Sequence, residues 1–130
     1  MYNLNRQNIR HNNLKTKLYI AKYLGYSEDE NGDEILLYDS PKEYYFNVMP
    51  LKNASEIQEF GKLATSMKVA VITEKDKYMN EFTEMDVVYL DGMTPKGELT
   101  KGYNANYKIH AVRPQNAIIK LYLVKLLKNK

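Results

Sequence analysis

The chain has 130 residues, 44% of them hydrophobic and 27% charged, enough for one folded domain and unlike a disordered tail or a membrane-embedded protein. It has no cysteine, which excludes disulfide frameworks, iron–sulfur clusters, thiol catalysis and cysteine zinc sites, and only His11 and His110 remain for metal or imidazole chemistry. The net charge of +3 is segregated: five basic residues and no acid in 1–26, 15 acids against six lysines in 27–91, and eight basic residues against Glu98 alone in 92–130. Such blocks either pair with a polyanion or with other copies, or interleave on folding into a mixed surface.

Residues 1–14 scatter Leu4 and Ile9 among Asn, Arg and Gln, and are expected to form a flexible basic arm ahead of a single domain over 15–130. That opening is not a signal peptide, and Ala117 to Leu127 is too short and too lysine-interrupted to span a bilayer, so the expected setting is a cytoplasm with no membrane partner. From Lys15, Leu18 and Ile20 alternate with Tyr19, Ala21 and Tyr23, the period of a strand. Asn31-Gly32 predicts a type I′ turn leading into a partner strand at Ile35 to Tyr38. Tyr44 to Met49 is extended and stops at Pro50. Ser55-Glu56-Ile57-Gln58 fits a capping box, with Ile57, Phe60 and Ala64 on one face of a short helix and Gly61 weakening its far end.

Met67 to Thr73 and Glu84 to Leu90 are β-rich, with a polar stretch between them. Asn106 to Val112 alternates, placing Tyr107, Ile109 and Ala111 on one face and Lys108 and His110 on the other. Arg113 to Asn116 is expected as a turn, and Ile118 to Leu126 as the last strand. Six or seven short strands with at most one helix describe a mainly all-β fold, a small antiparallel β-barrel or sandwich.

Catalytic and cofactor signatures are missing: the chain has no glycine-rich phosphate loop, metalloprotease helix or nucleophile elbow, and neither an enzyme nor a cofactor is expected. The acidic run 28–34 lacks the ligand spacing of a calcium loop and reads as a solvated hairpin tip. Asp86 and Asp91 could be pictured as paired acids, but aspartates flanking a strand more often bind turn amides. The twelve tyrosines fit strand and interface positions, where the ring supplies area and the hydroxyl a rim contact. Interleaved with lysines, as at Lys17-Leu18-Tyr19, they could instead stack bases.

One resemblance extends this reading. The acid-led strand 84–91, the proline loop around Pro95, Asn106 to Val112, the turn at 113–116 and the strand 118–125 follow one another in an order that resembles the head–tail joining (head-closure, or stopper) proteins of long-tailed bacteriophages and prophages. Family members often carry Asp-Tyr where this chain has Asn106-Tyr107, and Phe60-Gly61 leading into 67–73 is similar to the family's middle section. The resemblance covers 60–127; other neck or tail-completion proteins are its nearest alternatives.

It implies a virion structural protein, a ring of twelve copies below the portal of a DNA-filled head. Its partners would be the portal or adaptor ring, tail-terminator proteins and the packaged DNA, and it would pass from host cytoplasm to the head–tail interface. A domain of this size has a radius of gyration of about 14 Å, so lining a DNA channel requires a ring. A ring needs two different complementary patches per subunit. The charge blocks offer Arg6, Arg10, Lys15, Lys17, Glu56, Glu59, Lys96, Lys101, Arg113 and Lys125 as interface candidates. The arm is expected to order on docking, and either 52–62 or 93–102 to project as a loop toward the channel. The reading from a different class is a small-barrel nucleic-acid-binding protein that uses the tyrosines and C-terminal lysines.

Overall fold

The computed structural model describes residues 15–95 and 102–126. Six antiparallel strands close into a barrel in the order β1, β4, β5, β8, β7, β6, and β2 and β3 form a separate two-stranded sheet. In chain order the strands are β1 (Lys15–Ala21), β2 (Tyr23–Glu28), β3 (Glu34–Tyr38), β4 (Lys42–Pro50), β5 (Met67–Ile72), β6 (Val87–Tyr89), β7 (Tyr107–Gln115) and β8 (Ile118–Lys125). Helix α1 (Ala54–Phe60) runs into a 3-10 segment (Gly61–Ser66), and α2 (Lys75–Tyr78) is a single turn. The mainly β barrel matches the expected class, with more helical structure than the one short helix expected.

Alternation along the strands fills the interior. Leu18 and Ile20 of β1, Phe46 of β4, Ala70 and Ile72 of β5, Val88 of β6, and Ile119, Leu121 and Leu123 of β8 form one buried cluster with Ile109 and Tyr107. Burying a residue of this size contributes about 1.5–3 kcal/mol. An aromatic group packs against that cluster: Tyr44 stacks on Phe46 at 5.5 Å, and Tyr78 and Phe82 meet Phe46 edge-on at 5.2 and 5.9 Å.

Several expectations shift by one local feature. The first hairpin exists, but its leading strand is β2, whose register runs from Tyr23↔Tyr38 to Glu28↔Glu34, while β1 pairs with β4 and β6. Its turn is not type I′, because only Gly32 has a positive φ (83°). The Asp29 carboxylate instead accepts from the amides of Asn31 and Asp33 at 2.8 and 2.9 Å, a side-chain-capped turn. The N-cap of α1 is Asn53 rather than Ser55: its Oδ1 accepts from the amides of Ser55 and Glu56.

The alternation of β7 changes phase at a bulge between Ile109 and Ala111. Ala111 therefore joins an outer cluster, and Val112 packs toward the interior. The expected turn at 113–116 is still strand, with Arg113↔Lys120 and Pro114↔Ile119 in register. Proline is tolerated there because β6 pairs β7 only at Tyr107 and Lys108, which leaves the second edge of β7 unpartnered further along.

Asp86, fully buried, joins the barrel to the hairpin. Its Oδ1 accepts from the Tyr23 amide (2.9 Å) and the Thr83 hydroxyl (3.1 Å), and its Oδ2 accepts from the Thr83 amide (3.0 Å). This is the turn-amide role weighed for it in the sequence. Asp86→Ala would strand two amides around a buried void and is expected to cost about 3 kcal/mol, read as a lowered denaturation midpoint. A variant as stable as wild type would show that the carboxylate holds nothing.

Candidate interaction surface

The outer wall of the barrel is covered in two places. Over β5, β8 and β7, the α1 and 3-10 segment buries Leu51, Ala64, Met67, Val69 and Tyr122. The Arg113 guanidinium lies 5.3 Å from the Phe60 ring and 5.1 Å from the Tyr122 ring, and its two Nη atoms donate to both carboxylate oxygens of Glu59. Planar stacking plus a forked ion pair suits arginine and not lysine. Those hydrogen bonds from Arg113 hold the Glu59 carboxyl below its usual range. Beside it, Glu56 accepts from the Tyr122 hydroxyl and pairs with Lys120 at 3.4 Å.

Three interface candidates, Glu56, Glu59 and Arg113, thus come together inside one chain, where they fasten α1 to the barrel. The acidic and basic blocks interleave here because the closed sheet brings β7 and β8 under α1. Residues 52–62, expected to project as a loop, are instead largely helix docked on the barrel wall.

Another ion pair lies at Asp91, which pairs with Lys68 at 2.6 Å and accepts from the Tyr107 hydroxyl at 2.7 Å. Burial works against ionisation of Asp91, but Lys68 and Tyr107 outweigh it and hold its carboxyl below the usual range, with the nearby Lys125 charge adding to the effect. Asp86 and Asp91 therefore have separate partners and are not a working pair. Among the described residues no group of three His, Asp or Glu side chains could hold a metal ion.

Lys17 pairs with Glu43 at 3.2 Å across β1 and β4, and Lys15 is exposed beside it. Arg6, Arg10, Lys96 and Lys101 lie outside the described residues, as does most of the expected 93–102 loop. Of the tyrosines, Tyr89 and Tyr122 are fully buried and Tyr107 nearly so, each with its hydroxyl partnered, while Tyr26, Tyr45 and Tyr103 are more than half exposed.

The other covering is the β2–β3 hairpin, expected from the sequence as a hairpin with a solvated tip and not as a cover on the barrel. Its foot rests on Ala21, Val87, Tyr89 and Ala105 through Tyr38. Tyr38 meets the rings of Tyr23 and Tyr103 edge-on at 5.9 and 6.0 Å. Farther out, the hairpin exposes Leu24 (60%) and Tyr26 (62%), and from Glu28 to Glu34 it carries five acids and no base. Each strand pairs only with the other among the described residues. A two-stranded sheet with exposed apolar side chains and open edges is poorly stable alone, so its form here depends on the foot.

The chain matches no protein-family model and no curated protein. Among solved structures it is similar to the solution structure of protein SF1141 from Shigella flexneri 2a, with a TM-score of 0.54 and 13% identity over 86% of this chain and 92% of that one. At that identity the likeness is one of fold alone.

Two outcomes follow for these contacts. Gly102 has φ 94°, and an added Cβ would lie 2.7 Å from Tyr38 Cγ, so Gly102→Ala is expected to lift the hairpin foot and cost about 1–3 kcal/mol, visible as faster amide exchange in β2 and β3. Unchanged exchange would separate the foot from the hairpin. Burial, then the Glu56 hydrogen bond, pushes the Tyr122 phenol up to about 12 from 10.0. A raised phenol favours the fold fully below the unfolded value and loses that contribution as pH rises through the folded value. Tyr122→Phe should therefore cost about 1.5–3 kcal/mol at neutral pH, a deficit that narrows from about pH 10 to 12 in denaturant titrations. A deficit constant across that range would refute the coupling.

Proposed function

We propose that this protein is a structural component of a tailed-phage neck, assembling as a ring that closes the DNA-filled head below the portal and offers the surface on which the tail docks. The observation that carries this reading is the β2–β3 hairpin, an exposed apolar and acidic sheet held out from a closed barrel. A lone soluble barrel gains nothing from such an appendage, whereas a subunit of an assembly uses it as a contact. The order of strands and loops from residue 60 onward, which resembles the head-closure family, supplies the particular assembly. Portal or adaptor and tail-terminator proteins are the partners this reading names, with packaged DNA passing through the ring. The site of action is the virion head–tail joint, reached from the host cytoplasm. No catalytic step is assigned. No described helix is long and apolar enough to cross a membrane.

One observation favours a second reading. The outer face of β1 and β4 carries Lys15, Lys17 and the half-exposed Tyr45, with the Lys17 ammonium 5.7 Å from the Tyr19 ring, a combination that can hold a nucleic-acid strand. Deleting the gene in its native genome, inducing, and examining the lysate by negative-stain microscopy distinguishes the two. Separate DNA-leaking heads and normal-length tails are the expected result. Intact particles, together with salt-sensitive oligonucleotide binding by the purified protein, would replace the neck reading with the second.

A further inference from the structure

We infer that the β2–β3 hairpin is the receptor for the N-terminal segment, residues 1–14, of a second copy of this chain. The hairpin is a sheet lacking a covering on its outer part: Leu24 and Tyr26 stand 60% and 62% exposed, and neither strand has a further pairing partner among the described residues. What covers it has to be apolar at intervals and positively charged, because no lysine or arginine occurs between Tyr23 and Leu37 while five acids lie from Glu28 to Glu34.

Residues 1–14 have that chemistry. They hold Arg6 and Arg10, no acid, and Leu4, Ile9 and Leu14 spaced among polar residues, and they lead directly into Lys15 and Lys17. Within the hairpin only the Asp29 carboxylate is committed, to the turn amides, which leaves Glu28, Glu30, Asp33 and Glu34 as the partners for arginine. None of these four has an ion-pair partner among the described residues.

Geometry favours a neighbouring copy over the chain's own segment. The segment enters at the start of β1, and the hairpin leaves from its end, seven residues or about 23 Å away. β3 lines a cleft with Val87, Gly102, Tyr103 and Leu126. Fourteen residues reach at most about 46–50 Å, so a segment folding back on its own hairpin spends much of its length on the return. Docking on a neighbour joins two different patches, a head-to-tail contact of the kind that generates rings. The inference deepens the assembly reading above; its test uses purified protein, so its failure would leave the particle-morphology result standing.

The absence of native cysteine makes the test direct. Asn3→Cys full-length protein carrying a nitroxide, without isotope, is mixed with ¹⁵N-enriched wild type, which has no thiol to label, and the relaxation enhancement is read at each amide. Selective broadening across β2 and β3, removed by high salt, is the expected result. Glu28→Lys with Glu30→Lys and Glu34→Lys should weaken the effect about tenfold, as should Arg6→Glu with Arg10→Glu, and mixing the two reversed proteins should restore it. These acids are exposed, so the fold of the reversed protein is verified from its own amide spectrum. Broadening confined to other surfaces, broadening only when spin label and isotope share one chain, or no broadening at all would each overturn the inference.

Discussion

Closure of the barrel runs through Val87–Tyr89, a strand of three residues that has to satisfy β1 on one side and β7 on the other. So short a strand makes few ladder hydrogen bonds, and side chains extend it at both ends. Below it, the buried Asp86 carboxylate gathers the Tyr23 and Thr83 amides. Above it, the Asn106 side-chain amide accepts from the Leu90 amide at 2.9 Å and donates to the Leu90 carbonyl at 2.8 Å, as a backbone neighbour would. A carboxylate at position 106 could accept but not donate, so this double contact requires the asparagine side chain.

What hangs on the barrel inherits its position from that closure. Because Asp86 binds the first amide of β2, the hairpin leaves the barrel at a point set by the buried core and not by its own turn. Gly102, donating its amide to the Tyr89 hydroxyl at 3.0 Å and lying under Tyr38, ties the same strand to the hairpin foot. The foot fixes where the hairpin starts, and the outer half has no packing of its own among the described residues, so any chain that docked there would meet a hairpin ordered at one end.

The charge blocks show how a one-dimensional pattern changes meaning in three dimensions. Glu59 with Arg113, Glu56 with Lys120, and Asp91 with Lys68 all pair within one chain, the first two across the boundary between the acidic and basic blocks. The exposed Glu59–Arg113 pair contributes little as charge alone, so the α1 docking rests more on burying Tyr122, Met67 and Val69 and on the stacking of Arg113. The acids of the hairpin take no part in these ion pairs among the described residues.

Sequence by itself determined the class of fold and most strands, because alternation at Leu18–Ile20 and β-branched, apolar runs at Met67–Ile72 and Ile118–Lys125 are local properties of residue order. It also favoured strand-ending or turn-amide roles for Asp86 and Asp91 alike; Asp86 does bind amides, whereas Asp91 is taken up by Lys68 and Tyr107. Tertiary structure alone decided which strands pair, the phase change at the β7 bulge, the continuation of strand through Pro114, and the union of Glu56, Glu59 and Arg113. The strand pairings and the Glu59–Arg113 contact join residues distant in the chain, and the bulge and the strand through Pro114 turn on the register of one ladder; neither leaves a periodic trace in the sequence. The exposed hairpin belongs to the same group: Leu24 and Tyr26 have the composition of core residues, and only the placement of the barrel beside them leaves them facing outward.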